Sequence, residues 1–525
     1  MHCCAIHLNH SRLRPTLGQH NQQHTAYTAA IKANNSTNKS ANTQRVHLTL
    51  ASPKGGRMTG KSQNRTLITN VTIYTADNRR PYIDIGWLAF EGDKIIALGR
   101  ADEKPPHCEN IIDKCGNLLL PGFINPHWHE SFVAPNFESP DDKDIQQTAY
   151  SKGGDVAALG GLFGFISNVG NMLTADEALA IARWSLWTQL RSGTTTLGDL
   201  GSANTADAMA QAAIELGMRL FVSRWCSDIM IPADGSSAIQ VADGEAQLND
   251  VAQLMTKWHN HSSGLINGMP SVMGTFGSSD KQLHGIKAIA DDYNATYAMH
   301  LGALANEDEA NQRVFKQTSI QRVADLGLLS SRLLTVHTAY GSDKEFAALL
   351  KAGVHICHAP GHYGMLGEKT LSDTARFSQL MANGYPLACS TDGDINYTGG
   401  MTEAMRAAHL GLNEVANNNT CCPPTRALLS GTLYSAKALN LKNTGQLKPG
   451  MQADFVLIDC RNWRYKNSKH PLRTHLLTGS SDDIHSVYIA GQRVLENGQS
   501  TRFNEDSLWQ DYLCAVNSAR ARIRP

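Results

Sequence analysis

The stretch of sequence that decides the fold is PGFINPHWHE, residues 121–130, in which an apolar run ends in two histidines one residue apart. If the run is a β-strand, His127 and His129 stand at i and i+2, so their rings share one face and Trp128 points to the other. Two imidazoles on one face can hold one metal ion. The simpler interpretation is a pair of strand-end histidines in contact with water.

Three further apolar runs also end in a residue that can bind metal or carry a proton. His300 closes TYAMH, His337 closes LLTVH and Asp392 closes PLACSTD. In an α/β barrel the carboxyl ends of the strands form one rim, where these residues would meet the histidine pair. Three neutral imidazoles and a carboxylate suit a divalent metal ion, with zinc expected and iron as the alternative, and leave one position open for water.

The number of strand-like runs agrees with such a barrel. Eight apolar runs alternate with helical patterns, as an eight-stranded α/β barrel requires. They are LLLPGFIN, TTTLGDL, RLFVSRW, PSVMGTF, TYAMHL, LLTVH, VHICH and PLACSTD. Thr174 and Glu177 make a capping box that predicts the first helix, with Gly193 after its end.

Both flanks of the barrel region have strand texture. Short alternating apolar runs occupy residues 66–120 and 441–500, which predicts a small β-sandwich built from both chain ends. Residues 121–440 then form the barrel and residues 501–525 a C-terminal helix, which is either a strap over the barrel or a dimer contact. Residues 1–65 contain no Asp or Glu and no hydrophobic period, so we expect a disordered or mis-annotated extension.

Composition limits the classes of partner. The 47 basic and 47 acidic side chains cancel, which argues against nucleic acid and anionic membranes and favours a small-molecule substrate. The 11 cysteines are scattered and fit no zinc knuckle or disulfide framework. We therefore expect a reducing compartment and a cytoplasmic location.

The quoted motifs carry a family resemblance. PGFINPHWH, LRSGTTTLGD, the STDG around Asp392 and the closing segment GQLKPGMQADFVLID resemble the cytosine deaminase-like and chlorohydrolase-like (atrazine and triazine hydrolase) branch of the amidohydrolase superfamily. The resemblance extends over about residues 66–495. It implies a TIM-like (β/α)8 metal-dependent hydrolase barrel of the α/β class, with a small β-sandwich, in a homodimer or larger homo-oligomer.

The resemblance also implies a ligand set. One metal ion would be bound by His127, His129, His300 and Asp392, and the catalytic residues would be Asp392 as base and His337 beside the attacking hydroxide. No barrel lysine suits the bridging carbamate of the binuclear branches, which favours one metal. The expected reaction is attack of metal-bound hydroxide on a carbon–nitrogen bond, other than a peptide bond, of a small amide-like or heterocyclic substrate.

Two alternatives stay open. The chain can be an aminohydrolase of a purine, pyrimidine or triazine ring, or a catalytically silent barrel used as a binding protein. The candidate substrate contacts are His362, Tyr363, Asp394 and Trp128. The first two stand in HAPGHYG, where this branch usually carries His-x-Pro-x-Ser-Asn. Asp394 can instead cap the next helix.

One residue departs from the deaminase pattern. In deaminases of this branch, the fifth-strand histidine opens a His-x-x-Glu motif whose Glu protonates a ring nitrogen, but this chain has Ala303 at that position. Glu307 lies one helical turn further on, and Glu130 and His362 are other candidates for the acid. The sequence therefore predicts an amide or lactam substrate, with little activity on cytosine, guanine or adenosine-type substrates.

Overall fold

The computed structural model describes residues 65–130, 156, 170, 172–202, 204–393 and 400–523. The predicted extension before Arg65 and the candidate substrate contact Asp394 lie outside these residues. Within them, no helix combines the length and the apolar character needed to cross a membrane.

The strands of the described chain are numbered in chain order. They are β1 Arg65–Tyr74, β2 Tyr82–Glu91, β3 Lys94–Arg100, β4 Asn110–Asp113, β5 Asn117–Pro121, β6 Phe123–Trp128, β7 Thr194–Asp199, β8 Arg219–Val222, β9 Ile229–Met230, β10 Ile239–Gln240, β11 Ile266–Gly268, β12 Ser271–Gly274, β13 Tyr297–His300, β14 Leu333–Val336, β15 His355–His358, β16 Ala388–Cys389, β17 Phe455–Asp459, β18 Ile484–Ile489, β19 Gln492–Glu496 and β20 Gln499–Ser500.

The α-helices of the same residues are numbered in the same way. They are α1 Ala175–Arg191, α2 Ala206–Leu216, α3 Gly244–Trp258, α4 Asp280–Asp292, α5 Glu307–Phe315, α6 Ser319–Asp325, α7 Asp343–Ala352, α8 Pro360–Leu366, α9 Thr370–Thr374, α10 Arg376–Ala382, α11 Gly400–Val415, α12 Pro424–Ser430, α13 Leu433–Ala438, α14 Pro471–Thr478 and α15 Glu505–Ile523. The predicted capping box starts α1, because the Thr174 side chain accepts from Glu177 N and the Glu177 side chain accepts from Thr174 N.

One sheet joins the two ends of the chain. Its nine strands run in the order β20-β19-β18-β17-β5-β1-β2-β3, with β4 paired to β1. The antiparallel pair of β5 and β17 makes the join, with Leu119 opposite Leu457. Both residues are buried in one apolar cluster with Phe455 and Ile73, so the two ends share a core.

The parallel strands form two sheets. β6, β7, β8 and β11 make one, and β12 to β16 make the other. Only Met269 and Pro270 separate β11 from β12 in the sequence, so the two segments can be counted as one interrupted strand. β16 also contacts β6. Within each sheet the strands are parallel, so their carboxyl ends lie at the same edge of that sheet.

The first predicted strand needs a correction. LLLPGFIN was interpreted as one barrel strand, but Leu118–Pro121 belong to β5 of the nine-stranded sheet and Phe123 begins β6. Gly122 lies at the change of sheet, and a Cβ there would stand 2.4 Å from Thr195 Oγ1. A continuous apolar run hides this break, because both strands are fully buried.

The C-terminal helix packs on the first helix. Tyr512 and Val516 of α15 share an apolar cluster with Ile181 of α1, and Arg522 pairs with Glu177 at 2.6 Å. Of the two roles expected for this segment, the described contacts favour a strap on the molecule itself.

A buried carboxyl on α11 gives a prediction for stability. Glu403 has a side chain only 19% exposed and one oxygen without a hydrogen-bond partner. Burial raises the pKa of Glu403 from 4.5 to about 7, although Arg406 opposes the shift. The folded state thus holds a proton that the unfolded chain releases above pH 4.5, so the free energy of unfolding falls as the pH rises through 7.

The substitution Glu403→Gln should remove this decrease in the free energy of unfolding at high pH. The variant is expected to match the wild type near pH 4.5 and to exceed its free energy of unfolding by about 1–3 kcal/mol at pH 8. Urea denaturation at the two pH values measures the difference. Parallel stability curves for the two proteins would show that the pKa of Glu403 is the same in the folded and the unfolded state.

Candidate metal centre

Five predicted residues lie together at the carboxyl ends of the parallel strands. His127 lies in β6 and His300 closes β13, while His129, His337 and Asp392 follow β6, β14 and β16. All five are buried, with exposures between 0% for His127 and 9% for His129 and His337. The strand-end positions alone predicted this meeting.

Their ligand atoms converge. Two triads each lie within 4.8 Å, namely His127, His300 and His337, and His127, His129 and Asp392. His127 Nε2 is 3.2 Å from Asp392 Oδ1, and His129 Nε2 is 3.3 Å from His300 Nε2. Ligands held tetrahedrally around one zinc ion stand about 3.3 Å apart, so these separations fit a shared ion.

Burial keeps three of the imidazoles neutral. It lowers the pKa of each of His127, His129 and His300 from 6.5 to about 3, despite the nearby Asp392 carboxylate. A neutral imidazole has a free lone pair, which metal binding requires. His127 is fully buried; among the described residues its Nδ1 has no hydrogen-bond partner, and its Nε2 faces Asp392 Oδ1 at 3.2 Å without a well-aligned hydrogen bond. Such a group is costly unless something else binds it, and a metal ion at this position would do so.

Backbone carbonyls orient two of these rings. His129 Nδ1 lies 2.6 Å from the Gly201 carbonyl oxygen, and His300 Nδ1 lies 2.5 Å from that of Met273. A carbonyl only accepts, so each Nδ1 carries the proton and each Nε2 keeps its lone pair toward the centre. This arrangement is typical of metal-binding histidines.

His337 has the opposite tautomer. The Tyr363 hydroxyl accepts from Ala359 N at 3.0 Å and lies 2.9 Å from His337 Nδ1. Burial raises the pKa of Tyr363 well above 10, so the hydroxyl keeps its proton and donates it to Nδ1. The N–H proton of the neutral His337 ring is then on Nε2, which donates to Asp392 Oδ2 at 3.1 Å. His337 is therefore a hydrogen-bond donor rather than a metal ligand in this geometry.

Asp392 is the meeting point of the cluster. Burial opposes its ionisation, but His362 and His127 together hold the pKa of Asp392 well below 3.8. Both His337 and Asp392 have left-handed backbone, with φ of 67° and 62°. Such conformations cost about 1–3 kcal/mol in non-glycine residues and concentrate at functional sites. The turn at each strand end directs both side chains into the centre.

The residues that were expected to contact substrate lie in different surroundings. His362 lies at the centre, with Nε2 3.5 Å from Asp392 Oδ2. Tyr363 has a different role from the expected one, because its hydroxyl serves His337 and its ring stacks on Phe377. Trp128 is wrong as a substrate contact, since it is 4% exposed and packs in the main apolar core, on the strand face away from the histidines.

Sequence reasoning missed two side chains at this site. Glu368 follows α8, is buried, and lies 3.3 Å from His362 Nε2. His362 lowers the pKa of this carboxyl despite its burial. The ring of Trp225 meets His129 edge-on at a centroid distance of 5.1 Å. Glu368 is the single acidic residue of HAPGHYGMLGEKT, a signal that could have identified it.

The region around Ala303 is apolar. Ala303 is buried in a cluster with Ile231, Met273 and Phe276. Glu307 cannot reach a substrate from its observed position, because its two oxygens accept from Thr275 Oγ1 and from the Gly302 and Ala303 amides. Glu130 is engaged elsewhere, with Oε1 accepting from Ser185 Oγ at 2.9 Å.

Comparison with known proteins agrees with this geometry. The profile of the amidohydrolase family matches residues 118–494, which is more than half of the chain. The chain belongs to the amidohydrolase family. Membership makes it an enzyme that hydrolyses carbon–nitrogen bonds, and the family and its solved structures imply a TIM-like barrel fold of mixed α/β content.

Individual amidohydrolases resemble the chain over most of its length. A 5-methylthioadenosine/S-adenosylhomocysteine deaminase of Bacillus cereus (strain AH820) is 25% identical over 449 residues, covering 85% of this chain and 97% of that protein. The structure of a zinc complex of atrazine chlorohydrolase from Arthrobacter aurescens TC1 has a TM-score of 0.74 at 20% identity, covering 86% and 100%. An adenosine deaminase from Xanthomonas campestris with bound zinc has a TM-score of 0.73 at 19% identity, covering 87% and 98%.

Proposed function

We propose that this amidohydrolase is a metal-dependent hydrolase of a carbon–nitrogen bond in a small amide-like or heterocyclic substrate. The observation that carries the proposal is the convergence of neutral imidazoles on Asp392 at the ends of different parallel strands. The proposed ligands are His127, His129, His300 and Asp392, and the proposed ion is zinc, which the two solved relatives bind.

The architecture is proposed in the same terms. The parallel strands, which number eight when β11 and β12 are counted as one, close into a (β/α)8 barrel spanning about residues 121–440, a proposal that the contact of β16 with β6 supports. The nine-stranded sheet, built from β1 to β5 and from β17 to β20, folds into a small β-sandwich, and α15 forms a separate C-terminal helix. Homo-oligomer formation and a cytoplasmic location stay predictions.

The metal ion and the side chains have different roles in the proposed reaction. When bound, a divalent ion supplies positive charge that activates water and polarises the scissile bond. Asp392 accepts a proton at Oδ2, the oxygen that faces His337. Once Asp392 is protonated, the Nε2–H of His337 is released from it and can donate to the atom where negative charge develops.

His362 is the proposed donor to the departing nitrogen, and the proton that Asp392 has accepted replaces the one that His362 gives up. Its Nε2 lies 3.5 Å from Asp392 Oδ2, whereas the region around Ala303 is apolar and Glu307 and Glu130 hold other partners. His362 therefore serves the leaving group, but no described acid occupies the position from which a ring nitrogen would be protonated. This difference favours a substrate whose carbonyl is already polarised, such as an amide or lactam.

A second candidate is aminohydrolysis of a purine, pyrimidine or triazine ring. The deaminase relatives from Bacillus cereus and Xanthomonas campestris favour it, because their substrates are adenine derivatives. Both candidates use the same metal centre and differ in how the ring is protonated.

A substrate panel separates the candidates. We expect the zinc-loaded protein to hydrolyse cyclic amides and to act at least about a hundredfold more slowly on cytosine, guanine and adenosine, since general acid catalysis contributes about 10²–10⁴. Release of ammonia or of the product amine measures the rates, with the His127→Ala protein as the blank. Ammonia release from a nucleobase or nucleoside at about ten per second would establish the second candidate. Full zinc occupancy without any turnover would support a silent binding barrel.

A further inference from the structure

An imidazole and a carboxylate stand at the two ends of the short helix α8. His362 lies in its first turn and Glu368 just after its end. Both side chains are buried, with residue exposures of 5% and 7%. An ionised carboxylate is costly to bury unless a specific partner compensates it. The burial of this pair therefore indicates a role other than ending the helix.

The Glu368 carboxylate is held from two sides. Its Oε1 lies 3.3 Å from His362 Nε2, and its Oε2 accepts from the Thr370 hydroxyl at 3.1 Å. The backbone fixes the same residue, because Glu368 N donates to the Tyr363 carbonyl at 3.0 Å. The carboxylate thus has little freedom to leave His362.

His362 continues the contact to the metal centre. The same Nε2 lies 3.5 Å from Oδ2 of Asp392, while Oδ1 of Asp392 lies 3.2 Å from His127 Nε2 and 3.9 Å from His129 Nε2. Glu368, His362 and Asp392 therefore form a row that ends on Oδ2 of a carboxylate whose other oxygen, Oδ1, faces the proposed ligands.

We propose that Glu368 is a positioning residue that acts through His362 to fix the Asp392 carboxylate for metal binding. This inference rests on the proposed function, because Asp392 is a ligand only in that assignment. Side chains that orient the ligands of a metal are worth about 10–100-fold in metal affinity. Glu368 contacts His362, which in turn contacts the proposed ligand Asp392. The effect of Glu368 on metal binding must therefore pass through the His362 imidazole.

A double-mutant cycle in zinc affinity tests the inference. The zinc dissociation constant is measured by chelator competition for the wild type, Glu368→Ala, His362→Ala and the double variant. Glu368→Ala should weaken zinc binding by about 10-fold or more, and the double variant should bind zinc as His362→Ala does. An unchanged affinity in Glu368→Ala, or a full effect of Glu368→Ala in the His362→Ala background, would overturn it.

Conservative and control variants separate positioning from folding. Glu368→Gln keeps an oxygen that can accept from His362, so it should recover most of the zinc affinity and keep the test valid if the alanine variant does not fold. Glu414→Ala, at an exposed position of α11, should leave the zinc affinity unchanged.

The ligand assignment has its own outcome. If His127→Ala binds zinc like the wild type, the proposed function fails. If His127→Ala loses zinc while Glu368→Ala does not, only the role of Glu368 fails.

Discussion

His127→Ala is expected to lose the bound divalent ion and the hydrolytic activity together. His127 belongs to both ligand triads, and neither of its buried ring nitrogens has a well-aligned hydrogen bond among the described residues. Loss of the ion removes several kcal/mol of charge stabilisation, which corresponds to a decrease in kcat/KM of about a thousandfold or more. Elemental analysis of the purified variant, together with steady-state kinetics on the best panel substrate, measures both effects.

An exposed histidine gives the matched control. His284 lies on α4 with an exposed side chain, so His284→Ala should keep full zinc occupancy and full activity. Asp392→Ala should behave like His127→Ala. Full occupancy in the His127→Ala protein would contradict the ligand assignment, whatever its activity.

The sequence could bring these five side chains together because the signal is local. His127 and His129 are two residues apart on one strand, and His300, His337 and Asp392 each stand at the end of an apolar run. The parallel strands bring those ends to one edge, so a few short patterns were enough to assemble the residues.

The remaining features depend on three-dimensional packing. No spacing rule connects Glu368 to His362, since the contact needs α8 to turn both side chains inward. The role of Tyr363 follows from a hydrogen bond to His337, which lies 26 positions away. Trp128 was misjudged as a substrate contact because its place between two histidines outweighed the alternation of the strand, which sends it into the core.

The division of one apolar run between two sheets has a similar cause. Both β5 and β6 are fully buried, so hydrophobicity does not change where the chain passes from one sheet to the other. Gly122 marks that point only through its contact with Thr195, a residue of β7. Contacts of this kind are set by the assembled core and are absent from any local pattern.

His337→Ala should separate catalysis from metal binding. In the tautomer that the hydrogen-bond network implies, Nδ1 accepts from Tyr363 and Nε2 donates to Asp392, so His337 has no free lone pair to offer a metal ion. The variant should keep its zinc and lose about a hundredfold or more in kcat, as expected when one preorganised donor to developing charge is removed. Zinc content and kcat are measured on the same preparation, with KM reported separately.

Tyr363→Phe tests the tautomer itself. Without the hydroxyl, Asp392 Oδ2 alone holds the proton of His337 on Nε2 and the ring loses its second anchor at Nδ1, so kcat should fall while zinc occupancy stays full. The His337→Ala/Tyr363→Phe double variant should then be no slower than His337→Ala alone, because Tyr363 acts through that ring. Loss of zinc from His337→Ala would instead make His337 a ligand, in the triad that it forms with His127 and His300.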